Sequence, residues 1–142
     1  MRKYPSQPWV AIGVVVHKDE DVLLIKRGKE PNFGKWSIPG GAQKLGETLF
    51  EGCVREVLEE TCIQINTKHF IDAVDSIHFD EQGLIEYHYT ILEVSAIWVS
   101  GTPSAQDDAL EACWVPITDI QDLGMSPETI RIIRSSYNSL NI

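Results

Sequence analysis

The segment from Thr48 to Thr61 constrains this chain more than any other. Its apolar residues Leu49, Phe50, Cys53, Val54, Val57 and Leu58 are spaced as on one side of an α-helix, and they are expected to point to a core. Thr48 and Glu51 make the Ser/Thr-x-x-Glu pattern that caps a helix start. Arg55 and Glu59 are spaced for an i,i+4 ion pair. At roughly 100° per residue, Glu56, Glu59 and Glu60 fall within one adjoining arc. Three carboxylates on one small patch repel each other at pH 7, so the patch is unfavourable unless a cation sits among them. Hard oxygen donors of this kind suit Mg²⁺ or Mn²⁺.

The rest of the chain reads mainly as strands. Trp9 to Val16 is apolar and β-branched, the pattern of a buried strand, and Val22 to Lys26 is a second strand across a charged turn. Residues 28–35 form a loop by their Gly and Pro content. Trp36 to Ile38 is a short strand, which Pro39-Gly40-Gly41 stops to begin a loop. Phe70 to Phe79 and Leu84 to Val99 alternate as strands around the turn Asp80-Glu81-Gln82-Gly83, and Ala112 to Pro116 is a further strand. Ser126-Pro127-Glu128 opens a helix that runs to about Ser139, with Ile130, Ile133 and Tyr137 facing inward. Mixed strands with helices on both sides imply the α/β class, as an α/β/α sandwich around a mixed central sheet. The length of 142 residues, with no linker, repeat or low-complexity stretch, suits a single domain over residues 1–142.

Charge and cysteine usage exclude several functions. The formal net charge is −9, and a binder of nucleic-acid polymer needs a basic face. No apolar run approaches the length of a membrane span, and the N-terminus has no signal-peptide pattern, so the expected location is the cytoplasm. Cys53, Cys62 and Cys113 are odd in number and lack a Cys-x-x-Cys pair, which argues against a disulfide framework or a structural zinc site. His17, His69, His78 and His88 show no ligand spacing.

Gly41, Glu47 and the run Arg55-Glu56-Val57-Leu58-Glu59-Glu60-Thr61-Cys62-Ile63 resemble the Nudix box. Its pattern is Gly, five residues, Glu, seven residues, Arg-Glu, an apolar residue, any residue, Glu-Glu, any residue, Gly and an apolar residue. Eight of the nine specified positions match, and Cys62 stands where the family has glycine. Trp36 to Gly41 before the box and Glu111 to Pro116 after it also look like this family. A glycine there usually ends the helix in the left-handed conformation, so a cysteine costs roughly 1–2 kcal/mol if that geometry is kept.

The resemblance implies a Nudix-type sandwich that hydrolyses a nucleoside diphosphate linked to another group, with Mg²⁺ or Mn²⁺ as cofactor. It implies Glu56, Glu59 and Glu60 as metal ligands, with the Gly40 carbonyl as an added ligand. Arg55 is expected to orient the carboxylates, and Glu47 to pair with Arg55 or hold the loop. Glu56 is a candidate general base, and Glu59 belongs to the same catalytic set. Glu111 is a fourth acid by resemblance, with Asp107 and Asp108 as competitors. Trp36 and Trp114 read as core residues, Asn32 and Phe33 as candidate substrate contacts, and Tyr87 and Tyr89 as one face of a pocket. Residues 27–41 look like small prokaryotic ADP-ribose pyrophosphatases. The expected partner is therefore a small nucleotide diphosphate, ADP-ribose first. The alternative is a MutT-type pyrophosphatase of oxidised nucleoside triphosphates. A catalytically silent binding domain is a third reading, set against the presence of all four box glutamates. The resemblance also allows a homodimer.

Overall fold

A computed structural model describes residues 2–140. The order is β1 (Trp9–Lys18), β2 (Asp21–Arg27), β3 (Trp36–Ser37), β4 (Gly40–Ala42), α1 (Leu49–Thr61), β5 (Gln64–Phe79), β6 (Ile85–Ser100), β7 (Ala109–Pro116), a 3-10 turn (Ile117–Asp122) and α2 (Pro127–Leu140). The strands form one seven-stranded mixed sheet along the path β3-β2-β1-β6-β5, with β4 added on β1 and β7 on β2. β1 and β6 run parallel, and the other pairs are antiparallel.

Alternation in β1 and β2 divides the apolar residues between two cores. Ile12, Val14, Val16 and Leu23 pack with Cys53 and Val57 of α1. Val15, Val22 and Leu24 pack on the other side with Ile132 and Ile133 of α2. A strand covered on both faces reads as an unbroken apolar run; residues 11–16 are buried in this way, whereas Trp9 and Val10, at the start of the run expected to be buried, are exposed. Each fully buried Val, Leu or Ile contributes about 1.5–3 kcal/mol. The sandwich expected from the sequence is therefore present, with one core on each side of the sheet.

Both helices begin as their sequences direct. Glu51 N donates to Thr48 Oγ1 at 3.2 Å, and Thr48 N donates to Glu51 Oε1 at 2.8 Å, completing the capping box. Thr129 N donates to Ser126 Oγ at 3.1 Å at the start of α2. The inward stripe of α2 differs from expectation. Ile132, Ile133 and Ser136 are buried, whereas Ile130 and Tyr137 are half-buried. Ser136 sits inside because its hydroxyl shares a 2.6 Å hydrogen bond with His17 Nε2 of β1. On α1, Phe50 and Leu58 are exposed rather than in the core. The buried arc is turned toward Glu56 and Glu60, which leaves Leu58 outside it.

Residues 40–42 were expected to open a loop, yet they pair with β1 as Gly13↔Gly40, Ile12↔Gly41 and Ala11↔Ala42. A Cβ on Gly40 would overlap the Ile12 carbonyl, so glycine allows this approach. β5 starts at Gln64 and β7 at Ala109, both earlier than expected, because pairing with β6 and β2 extends them. No helix among the described residues is long and apolar enough to cross a membrane.

α1 ends at Cys62, whose φ of 65° and ψ of 15° are left-handed, and whose N–H donates to Leu58 O at 3.0 Å. The cysteine has kept the backbone that glycine favours. Cys62→Gly should therefore raise stability by about 1 kcal/mol. A denaturation midpoint equal to or below that of the parent would contradict this account.

Candidate active site

The Gly40–Gly41 strand runs close against the carboxylate side of α1. Gly40 N donates to Glu60 Oε1 at 2.8 Å. A Cβ on Gly41 would lie 2.5–2.7 Å from the carboxylate atoms of Glu56. Two bare glycines thus let a backbone pass where side chains from the helix already stand. Gly52, on the same helix, has no room for a Cβ either, because Ile12 and Glu47 lie against it.

Arg55 organises the acids around it. Its Nε and one terminal nitrogen donate to the two oxygens of Glu47, both at 2.7 Å. The other terminal nitrogen reaches Glu56 Oε1 at 2.7 Å and Glu59 Oε1 at 3.0 Å. Ala42 O accepts the remaining contact at 3.2 Å. Five contacts match the five N–H donors of a guanidinium, and the paired bonds to Glu47 are a fork that lysine lacks. The hydrogen bonds with Glu47 lead the effects that raise the Arg55 pKa, and the same contact holds the Glu47 carboxyl down at about 2.

The acids on the inner side are strained in the opposite direction. Glu56 and Glu60 are 9% and 6% exposed, while Glu59 remains open to solvent. Burial raises the Glu56 pKa and raises that of Glu60 to about 7, and Asp107 adds repulsion to both. Asp107 reaches the cluster through the end of α1. Ser104 N and Gln106 N donate to the Thr61 and Glu60 carbonyls, each at 3.0 Å, and so satisfy acceptors that a helix end leaves open. The loop that follows is tied to the β2 exit by Gly28 N to Asp108 O at 2.7 Å and by a Lys29–Asp108 ion pair at 2.9 Å.

Among the described residues, no three acidic, His or Cys side chains converge on a single point. Arg55 and the Gly40 N–H hold several of their oxygens instead. The donor set still fits a hard divalent ion. It is made of carboxylates, two of them buried at raised pKa, with the Glu56 carboxylate packed against the bare backbone of Gly41. A cation at that place offsets both the burial and the mutual repulsion.

These groups open into a cavity of about 1650 Å³, bordered also by Arg27, Lys29, Asp107 and Asp108. Of the residues picked out from the sequence, Gly40, Arg55, Glu56, Glu59 and Glu60 line it, and Glu47 supports it through Arg55. Glu111 does not. It lies in β7 opposite Lys26, is exposed, and pairs with that lysine at 3.7 Å. Asn32, Tyr87 and Tyr89 reach the cavity, while Phe33 does not and is exposed. Trp36 and Trp114 pack on the two cores, as expected. Trp9, with Arg2 over its ring at 5.7 Å, is the tryptophan that lines the cavity. Glu93 also lines it and escaped the sequence reading, because a lone acid within an alternating strand carries no spacing signal.

The Glu47 contact has a pH signature. A carboxyl held at about 2 contributes stability that is complete above the ordinary value of 4.5 and is lost as pH falls toward 2. Glu47→Gln should therefore be less stable than the parent at pH 7, with the gap narrowing on acidification below pH 4.5. Urea midpoints of both proteins measured across that range check this, and a gap that stays constant to pH 3 would refute it.

The chain is similar to several known proteins. The chain is 34% identical over 123 residues to an ADP-ribose pyrophosphatase of Methanocaldococcus jannaschii, covering 87% of this chain and 70% of that one. It is 27% identical over 115 residues to the mouse oxidized purine nucleoside triphosphate hydrolase, covering 81% and 70%. Two further curated relatives are much longer, and the chain spans 32% and 17% of them. Among solved structures, a MutT NUDIX hydrolase of Burkholderia pseudomallei superposes with a TM-score of 0.76 at 26% identity, covering 92% of this chain and 98% of that one. The NUDIX domain family itself matches residues 7–135. That span begins before β1 and ends within α2, so the whole sandwich, and not the acidic helix alone, places this chain in the Nudix hydrolase family.

Proposed function

We propose that the chain hydrolyses a nucleoside diphosphate joined to a second organic group, with Mg²⁺ or Mn²⁺ as cofactor and ADP-ribose as the leading substrate. The observation that carries the substrate is the 34% identity, over 87% of the chain, to a relative named for ADP-ribose. In this reading Glu56, Glu59 and Glu60 hold the metal, with the Gly40 carbonyl as a further donor. When bound, the metal neutralises the diphosphate and lowers the pKa of a coordinated water. Arg55 keeps the carboxylates oriented, and Glu47 fixes Arg55 through the paired bonds. Glu56 is the candidate proton acceptor, because burial holds its carboxyl above the ordinary range. Asp107 replaces Glu111 as the additional acid, since it borders the cavity. Arg27 and Lys29 at the rim place positive charge where further phosphate oxygens would lie. Water adds to one phosphorus, and the bridging P–O bond breaks. ADP-ribose then yields AMP and ribose 5-phosphate.

The second reading, a MutT-type pyrophosphatase, is favoured by the likeness to the mouse oxidized purine nucleoside triphosphate hydrolase. A side-by-side measurement of kcat/KM for ADP-ribose, a nucleotide sugar, dGTP and 8-oxo-dGTP separates the two. ADP-ribose should lead. An advantage of tenfold or more for 8-oxo-dGTP, about 1.4 kcal/mol, would put the second reading in its place.

Turnover should stop on chelation and return with Mg²⁺. Glu59→Gln and Glu60→Gln should each lower kcat by about tenfold or more, roughly 1.4 kcal/mol per factor of ten, while the fold persists. Glutamine at position 60 keeps an acceptor for the Gly40 N–H and removes a buried charge. Wild-type kcat at low Mg²⁺ in either variant would remove that residue from the ligand set, and full activity in excess chelator would end the metal-centred mechanism.

A further inference from the structure

Glu93 lies at the centre of β6, only 7% exposed, and its Oε1 has no hydrogen-bond partner among the described residues. A buried carboxylate oxygen without a donor is costly, and few such groups persist without a use. Its surroundings are built to keep it there. Gly13 pairs with Glu93 across β1 and β6, and a Cβ on Gly13 would overlap Oε1. Ile38 closes the same point from the β3–β4 connection. Glu93 is among the residues that border the large cavity, together with Ile91 and with Thr129 and Glu128 of α2.

Two features say what kind of group belongs there. The first is charge. Glu128 and Asp72 add negative charge around Glu93, and Arg131, the neighbouring cation, is already paired with both of them. A phosphate is repelled from such a place, whereas an N–H donor is attracted. The second is position. Gly40, Gly13 and Glu93 stand in one row across three adjacent strands. Two strand spacings put Glu93 roughly 10 Å from Gly40. That distance is comparable with the reach of a nucleoside from its base edge to its 5′-phosphate. With phosphates at the α1 carboxylates, a base of that reach would border Ile38 and Ile91, which line the same cavity as Glu93.

We propose that Glu93 is the specificity-determining residue of a purine subsite, its carboxylate accepting a hydrogen bond from an exocyclic amino group on the base. The proposal rests on the nucleotide diphosphohydrolase reading and adds the base to it. Adenine and guanine both carry such an amino group, and unsubstituted purine carries none. A pocket built to satisfy a donor rejects the analogue that lacks it, since the acceptor is then left buried and unpaired.

Calorimetric titration with AMP, GMP and purine riboside 5′-monophosphate tests this without any turnover. The wild-type chain should bind AMP or GMP about tenfold or more tightly than the purine riboside nucleotide, and the better of the first two identifies the base. Glu93→Leu should bring the three within about threefold of one another, and Glu93→Gln, which keeps an acceptor but not the charge, should lie between. Thermal unfolding should show neither variant less stable, because each removes a buried carboxyl with an unsatisfied oxygen whose ionised form burial disfavours. Equal affinities in the wild type would overturn the proposal, as would discrimination retained by Glu93→Leu or an equal loss for all three ligands. If Glu93→Leu does not fold, the Glu93→Gln titration decides: discrimination below that of the wild type supports the proposal, and discrimination equal to it overturns the proposal. Discrimination among the mononucleotides without turnover of any diphosphate would sink the hydrolase reading and leave the subsite standing.

Discussion

One guanidinium holds the acidic end of this molecule together. Arg55 is placed between Glu47, Glu56 and Glu59, and each of its N–H groups is used. Without it, a loop carboxylate and two helix carboxylates would repel each other in a half-buried place. With it, the segment between β4 and α1 is tied to the helix at both oxygens of Glu47. The two environments it separates are unlike each other. On the Glu47 side a carboxyl is held ionised, and on the Glu56 and Glu60 side burial favours the proton. Around one guanidinium there is therefore a loop acid fixed as structure, and on the helix two buried acids that a cation would stabilise.

Backbone atoms do as much as side chains in shaping the cavity. Gly40 approaches the Ile12 carbonyl and still directs its N–H at Glu60. The last carbonyls of α1 hold the loop from Ser104 to Asp108 by its amides. Gly13 plays the corresponding part at Glu93. In each case a missing Cβ or an unpaired helix carbonyl sets a distance that no side-chain choice nearby could set alone.

The sequence made the helix and its acids readable because several independent patterns agreed there: the capping box, the apolar spacing, the ion-pair spacing and the glutamate intervals. The buried part of β1, residues 11–16, was readable for the simpler reason that both faces are covered. Gly40 and Gly41 misled because glycine usually marks a break, and only the tertiary approach of β1 turns them into a strand. Glu111 and Asp107 are alike as residues, and the choice between them depends on which way β7 and its preceding loop face. The early starts of β5 and β7 come from pairing partners far away in sequence. Glu93 was not readable as a site residue, since its place beside the cavity depends on the sheet bringing β1 and β6 together. The inward face of α2 turned on Ser136, whose polarity hid its contact with His17.

The parallel pairing of β1 with β6 has a consequence for the order of assembly. Gly13 and Glu93 are eighty residues apart in the chain, whereas β1 closes on β2 through the short turn at Asp19 and Glu20. Loop closure grows more costly with length, by about 0.6 kcal/mol for each doubling, and distant pairings slow folding. The first hairpin and the capped acidic helix have local reasons to form early as the chain leaves the ribosome. The floor beneath the cavity waits for β6. For that interval the helix carries its acids without the surface that would give them a substrate to face, so a pairing between residues eighty positions apart delays the moment at which the protein can begin to act.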